Sequence, residues 1–538
     1  MSILKHIFRN FSSRERKFFI AFTIVFFAAL TSETALGIRE HSVFVPIASG
    51  SYHEGFVGQP ITLNPAISNN PIDQEISALI FGRVGNFLSG YEVSQDGREY
   101  ILKLKEDLLW NDDQPLTSDD VIFTIKTVQN PDAHSPLQKS WQGVAVERIS
   151  QLQVKLTLLS PYVFFIDTVT NLPVIPKHIY GSIPVLNFRL SGYNLEPVGS
   201  GPYQFKSFTK RKDGFITQYH FTVNENYAGE KPYIQDFYFD FFQDAEGLER
   251  ALAKHDINAF GTSAPLTATL SDTKGLVVQK IPMPNYYAVF FNQNSNPLLR
   301  DDSVRRALIA AVDQTRLAED TLGGNAIPVY GPRLTFEDGT IKSGDSTFNP
   351  ERARELIAAF KAKNKNERIT IALSVPDAPF VKSVAEYVKN AWVNAGIDEV
   401  TIRTFNSSDP TDATIKSRDY EALLFGNVLE NPEDLFPFWH SSQRMYPGFN
   451  LALYTNQKVD TAIETARQSG NESRRAAQVV QESSLIMADA PALFLFSLPY
   501  TYVHTPSLRG FSPDILGIPA DRFNRVNEWY VAQVRVLQ

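Results

Sequence analysis

Gly55-Phe-Val-Gly-Gln-Pro-Ile-Thr-Leu-Asn-Pro65, continuing to Asn69, Asn70 and Asp73, is the stretch on which the reading of this chain turns. An apolar, strand-like run ends at Gly58, and Pro60, Pro65 and Pro71 then punctuate the backbone so densely that it must be loop. A helical pattern through Ile76 and Ala78-Leu-Ile-Phe81 follows. An Asn-rich loop leaving a strand end is a usual place for an α/β protein to hold a ligand. A polar surface connection has the same composition, so the rest of the chain has to separate the two.

With 538 residues the chain is long enough for a large core and for more than one domain. Its 43% hydrophobic and 20% charged content is that of a soluble globular body, and a net charge of -8 argues against a nucleic-acid partner. The absence of cysteine removes disulfides, thiolate nucleophiles, thiolate metal sites and lipid attachment through a cysteine.

Lys5, Arg9, Arg14, Arg16 and Lys17 precede the apolar run Phe18-Phe-Ile-Ala-Phe-Thr-Ile-Val-Phe-Phe-Ala-Ala-Leu30. Basic flank before apolar run predicts a cytoplasmic segment at 1–17, a membrane helix at 18–38 and a body outside the cell membrane. To Leu30 the run has the length of a signal-peptide core, and only by tolerating Glu33 does it reach spanning length at Ile38. Ala35-Leu-Gly37 is a weak cleavage site, so cleavage stays open. We expect a retained single-pass anchor, because the basic segment is long and no lipid tether is possible.

Further along, periodicity alternates between strand and helix, which implies α/β lobes. Val43 to Gly58 suits one or two strands, and Arg98–Lys105 and Gln153–Leu159 alternate as strands do. Between them, Thr117-Ser118 caps a helix whose first turn holds Asp119 and Asp120. Pro197-Val-Gly-Ser-Gly-Pro-Tyr203 marks a tight turn before strands near 215–223 and 233–242, and 256–260 reads as a buried strand. A second lobe starts near Asn285 with a strand at 286–292 and a helix capped by Asp302 or Ser303. Residues 368–375, 381–395 and 400–405 form a β-α-β unit, Tyr420–Gly426 is a strand, and Leu493–Val503 reads as one further strand.

No HExxH, Walker lysine loop, GxSxG or dinucleotide glycine loop is present, so catalysis has no positive signal and no cofactor is implied. The histidines are scattered, with His178 and His440 read as ordinary positions beside turns, and no metal site is expected. Asp112-Asp113 and Glu433-Asp434 fall in loops, where a solvated surface is the default. Of the 39 Phe and 21 Tyr residues, most must be core. The clusters Tyr286-Tyr287, Phe436-Pro-Phe-Trp439 and Tyr446-Pro-Gly-Phe449, with Asn and Gln nearby, suit a cleft for an extended polar ligand.

The chain resembles the extracellular solute-binding proteins of ABC importers, family 5, of the oligopeptide, dipeptide and nickel type. The matching segments are the opening stretch, Trp110-Asn-Asp-Asp-Gln-Pro-Leu-Thr-Ser-Asp-Asp-Val-Ile-Phe-Thr124, Leu172-Pro-Val-Ile-Pro-Lys-His178 and Pro197–Tyr203. Asn224-Glu-Asn-Tyr-Ala-Gly-Glu-Lys-Pro-Tyr233, Phe291-Asn292 leading to Val304-Arg-Arg-Ala-Leu308 and Val312-Asp313, and Asn450-Leu-Ala-Leu-Tyr-Thr-Asn456 with Val459-Asp460 follow in the same order. The resemblance implies an α/β, two-lobed periplasmic-binding-protein-like fold with mixed sheets, an inserted subdomain and a hinge between the lobes. It implies a first lobe of 43–75, 190–284 and 500–538, an insertion at 76–189, and a second lobe of 285–499. It also implies a non-enzymatic monomer that captures an oligopeptide or similar small solute and delivers it to ABC permease and ATPase subunits. A peptide chaperone or sensor of the same fold, or an anchored hydrolase, are the alternatives.

In peptide-binding members an aspartate shortly before an acidic-proline turn holds the ligand's α-ammonium group. Here that stretch reads Phe425-Gly-Asn-Val-Leu-Glu-Asn-Pro432, with Val428 four residues before the proline and Glu430 the nearby charge. A blocked peptide, a sugar, or an ammonium held by Glu430 all stay open, as do a nickel chelate and haem. The expected ligand contacts are Asn69 in the opening loop, Trp141 in the insertion, and Tyr287, Asn427, Glu430 and Trp439 in the second lobe.

Overall fold

The strand Ser51–Val57, which opens the decisive stretch, becomes the middle strand of a seven-stranded sheet. The order is Val277–Ile281, Tyr500–His504, Ala259–Thr262, Ser51–Val57, Asp236–Phe242, Ile216–Val223, Tyr203–Lys210. This computed structural model describes residues 11–264, 275–337, 340–365, 368–406 and 412–537, with the side chains of 35–40 and 537 outside that description. Lys5 and Arg9 of the basic segment lie outside the described residues. Alternation dictates which face of the sheet is dry: Tyr52 and Phe56 point inward with Phe237, Phe239 and Phe241 from the neighbouring strand. Burial of these rings is the main force holding this sheet to what covers it.

The insertion carries a four-stranded antiparallel sheet in the order Leu88–Val93, Glu99–Leu104, Gln153–Thr157, Ala145–Ser150. The helix Ser118–Gln129 lies against it, and its start follows the sequence reading: Thr117 accepts from Asp119 N, and Asp120 accepts from Thr117 N. Trp110, Val121 and Trp141 share one continuous core with Tyr52 and Phe237, so the insertion is packed onto the first sheet.

A six-stranded sheet runs Ile327–Pro328, Ala492–Ser497, Asn285–Phe291, Ala422–Val428, Thr370–Pro376, Glu399–Phe405. The β-α-β unit is present, with its two strands parallel and the helix Pro379–Asn394 burying Val384, Val388 and Trp392. Three expectations shift. The strand placed at 420–426 runs two residues later, Ala422–Val428, because it pairs along the whole of Asn285–Phe291. The helix placed behind Asp302 or Ser303 is capped by Asp301, which accepts from Ser303 N at 2.8 Å. The single strand read over Leu493–Val503 is two, Ala492–Ser497 in the six-stranded sheet and Tyr500–His504 in the seven-stranded one. Pro499 has no N–H to continue a ladder, and the chain changes sheets there.

The chain therefore crosses between the sheets at Pro282-Met283-Pro284 and at Leu498-Pro499. Asn285 clips these crossings together: its Nδ2 donates to Leu498 O at 2.8 Å, and its Oδ1 accepts from Leu498 N at 3.0 Å. The helix Ser13–Glu40 stands apart from both sheets, with 22 residues, Ser13–Thr34, long and apolar enough to cross a membrane and none of that window buried.

Candidate functional site

Strand direction fixes where the loops emerge. Thr262 pairs with Thr501, just after one crossing, so Ala259–Thr262 ends at the side where the two sheets meet. Ser51–Val57 runs parallel to it and leaves its sheet, at Gly58, on that same side. In the other sheet Val428 pairs with Asn285, the first strand residue after the other crossing. The loops that follow Gly58 and Val428 thus both open towards the junction of the lobes, a usual location for a ligand.

Buried Asp73 braces the opening loop. Its carboxylate accepts from Ile61 N, Thr62 N and Ser68 Oγ at 2.8, 2.8 and 2.9 Å, which folds the loop back on the helix Pro71–Ile80. Burial raises the Asp73 carboxyl against the lowering effect of those three donors. Asn70 is spent as the helix cap, accepting from Ile72 N at 3.0 Å, while Asn69 remains exposed.

The other sequence-predicted residues divide by burial. Asn427 and Trp439, at 4% and 0% exposure, both donate to the hydroxyl of Tyr286, at 3.2 and 3.3 Å. They lock the strand end to the following loop and present almost no surface of their own. Trp141, at 1% exposure, lies with its ring 5.6 Å from Phe165 in the core of the insertion. Tyr287 points to the opposite face from Tyr286, is half-buried, and stacks on Phe496 at 5.0 Å. Glu430 is exposed to water, yet surrounding protein raises its carboxyl above the ordinary range, with the charge of Asp434 adding to the shift. Both facts fit a side chain on a cleft wall, wet on one side and enclosed on the others.

Beside Glu430 the structure shows a bridge that sequence reading left as solvated loop. Asp434 is only 6% exposed. It accepts from the hydroxyl of Tyr162, in the insertion, at 2.9 Å, and lies 3.4 Å from Arg467 Nε. The Arg467 guanidinium sits between the rings of Tyr162 and Phe436, 4.2 and 4.1 Å from their centroids, and its carbonyl accepts from Val163 N at 2.8 Å. Arg475 pairs with Glu433 at 3.0 Å and faces the ring of Phe164. Asn431 Nδ2 donates to Asp167 at 3.2 Å, and Lys139 Nζ donates to Pro447 O at 2.8 Å over the ring of Phe449. The insertion and the six-stranded lobe are therefore in contact, and the cleft is closed on this side. No spacing in the sequence marks Tyr162 and Asp434 as partners, since 272 residues separate them.

Glu482, on the helix Glu472–Asp489, completes an acidic neighbourhood. It is 1% exposed, neither carboxylate oxygen has a hydrogen-bond partner, and burial with the charge of Asp434 pushes it up to about 8. Burial thus favours its protonated form. Among the described residues no group of three or more His, Cys, Asp or Glu is placed to hold a metal ion.

Comparison with known proteins agrees with this architecture. Residues 84–445 match the family model described as bacterial extracellular solute-binding proteins, family 5 middle. The oligopeptide-binding protein AppA of Bacillus subtilis is 23% identical over 529 residues, covering 93% of this chain and 95% of AppA. The solved structure of B. subtilis AppA in complex with a nonapeptide superposes with a TM-score of 0.71 at 22% identity, over 91% of this chain and 100% of that one. The structure of NikZ from Campylobacter jejuni in complex with Ni(L-His) gives a TM-score of 0.71 at 23% identity, over 89% and 99%. These solved chains are covered almost entirely, so the two-lobed fold is shared with them. With a family match across more than half of its length, the chain belongs to the bacterial extracellular solute-binding proteins, family 5.

Proposed function

We propose that this chain is the membrane-tethered receptor of an ABC importer, which captures oligopeptide-like solutes between its lobes and passes them to permease and ATPase subunits. The observation that carries this reading is the pair of loops at the lobe junction, closed by the Tyr162–Asp434–Arg467 bridge beside the exposed carboxylate of Glu430. The binding of oligopeptides and of a nonapeptide by the AppA proteins supports the ligand class. The first lobe comprises 43–75, 190–284 and 500–538, the insertion 76–189, and the second lobe 285–499, a division supported by sheet membership. Asn69, Tyr287 and Glu430 contact the ligand, while Asn427, Trp439 and Trp141 stiffen the walls behind them. Glu430 has no ion-pair partner among the described residues and is the group that takes a cationic end or side chain of the ligand. The protein acts as a monomer without covalent chemistry, and the helix Ser13–Glu40 stays in the membrane as its anchor.

Native mass spectrometry of protein purified from its own cells tests the reading through whatever co-purifies. Peptides of mixed sequence are expected. A homogeneous sugar, haem or metal chelate would overturn the ligand class, and turnover of peptides by the pure protein would overturn the receptor role.

A further inference from the structure

Between the membrane helix and the first large sheet lies a two-stranded antiparallel ribbon, Ser42–Pro46 paired with Gln533–Leu537, which belongs to neither lobe sheet. Its register places Val43 opposite Val536 and Val45 opposite Val534, so four valines share one face. Val43, Val534 and Val536 are 37%, 43% and 38% exposed. The other face shows Phe44 at 59% exposure with Arg535 5.3 Å from its ring centroid, and Ile47 continues the apolar surface. A two-stranded ribbon with bare valines is marginal in water on its own and asks for a cover.

The position of the ribbon says what that cover is. The helix Ser13–Glu40 has 28 residues, and at ~1.5 Å per residue it is ~42 Å long, the thickness of a bilayer with its headgroups. Its apolar part begins at Phe18, after Arg14, Arg16 and Lys17, and the stretch 18–38 spans ~32 Å, close to the ~30 Å hydrocarbon layer. Only residues 39–40 of the helix remain beyond it, ~3 Å, so the ribbon begins within the outer headgroup layer. Only His41 separates the helix from the ribbon. A bilayer that holds the helix therefore sets the ribbon at its surface, where apolar valine side chains are favoured.

We propose that this ribbon is a membrane-docking element, seated by its valine face in the outer headgroup layer. It rests on the retained-anchor reading above and adds a consequence to it. The body is held against the membrane by a short ordered connection, not on a flexible tether, because only Ala48, Ser49 and Gly50, with Ile47, link the ribbon to Ser51–Val57.

The absence of cysteine makes the test direct. Full-length protein carrying Val536→Cys, and separately Val43→Cys, is labelled with an environment-sensitive fluorophore and reconstituted into vesicles of phosphatidylcholine and phosphatidylglycerol. Lys212→Cys, in the hairpin at the opposite end of the seven-stranded sheet, serves as the control label. Flotation with the vesicles reports the anchor. Nitroxide-bearing lipids report the ribbon. The expected result is co-flotation of all three proteins, with blue-shifted emission and lipid quenching at positions 536 and 43 and neither at 212. Co-flotation with unquenched, water-like emission at 536 and 43 overturns the ribbon proposal and leaves the anchor standing. Emission that shifts with protein concentration but is not quenched by lipid assigns the face to a second copy and also overturns it. Failure to float with the vesicles overturns both readings.

Discussion

Removal of the Tyr162 hydroxyl tests whether the bridge holds the lobes together. In Tyr162→Phe the ring still stacks on Arg467, but the 2.9 Å hydrogen bond to Asp434 is lost. Asp434 is 6% exposed, so its carboxylate has no water to replace the hydroxyl while the cleft is closed. In the open form water solvates it. A hydrogen bond to a buried charged acceptor contributes about 2 kcal/mol, and its loss shifts the closed-to-open ratio by roughly 30-fold. Ligand affinity falls by the same factor to the extent that only the closed form retains ligand. Fluorophores on Glu147→Cys, in the insertion, and Lys458→Cys, in the second lobe, report the distance across the cleft by single-molecule energy transfer. The open population should rise in Tyr162→Phe and also in Asp434→Ala, which leaves the hydroxyl no acceptor. Adding Tyr162→Phe to Asp434→Ala should change the distribution little further, because the bond is already gone. An unchanged distance distribution in both single variants would show that the bridge does not govern closure.

Glu482 gives a pH signature with a definite sign. Its carboxyl is pushed up to about 8 in the folded protein from an ordinary value of 4.5. Between those values the unfolded chain loses its proton while the folded one keeps it, so stability falls as pH rises from about 4.5 to about 8 and then levels off. Glu482→Gln removes a penalty on the order of 5 kcal/mol at alkaline pH and almost none at pH near 4, as read from urea midpoints. An equal gain at both pH values would contradict the assignment. Arg522 has no exposed surface and pairs with Glu54 and, at 2.5 Å, Glu75. Arg522→Met strands two buried carboxylates and should cost about 3–5 kcal/mol in urea unfolding, whereas a neutral effect would mean that the cluster is not a paired charge system. Glu430→Gln should weaken a cationic co-purifying ligand by about 1–3 kcal/mol in calorimetry, with unchanged affinity removing Glu430 from the site.

The architecture was largely legible because it rests on local rules. Period-two alternation placed Glu99–Leu104 and Gln153–Thr157, and Thr117 with Asp119 and Asp120 marked a helix start through side chains close in sequence. Where partners are distant, the reading slipped. Leu493–Val503 is apolar throughout, so periodicity could not show that Pro499 divides it between two sheets. Glu433-Asp434 looked like a solvated pair because nothing nearby covers it; Tyr162, Phe164 and two arginines from elsewhere do. Asn427 and Trp439 sit where expected along the chain, but their polar atoms are turned onto Tyr286.

The sequence by itself determined the elements, the N-terminal apolar helix, the absence of thiols and, through ordered motifs, the family. The opening stretch showed from composition alone that it must be loop after Gly58. Only the tertiary structure decided where that loop points. Parallel pairing of Ser51–Val57 with Ala259–Thr262 aims it at the lobe junction, and Asp73 folds it into place. The reason is physical: secondary structure follows from side chains a few residues apart, whereas a cleft is made by which strand ends meet. That depends on contacts between residues hundreds of positions apart, such as Tyr162 with Asp434 and Tyr502 with Glu54.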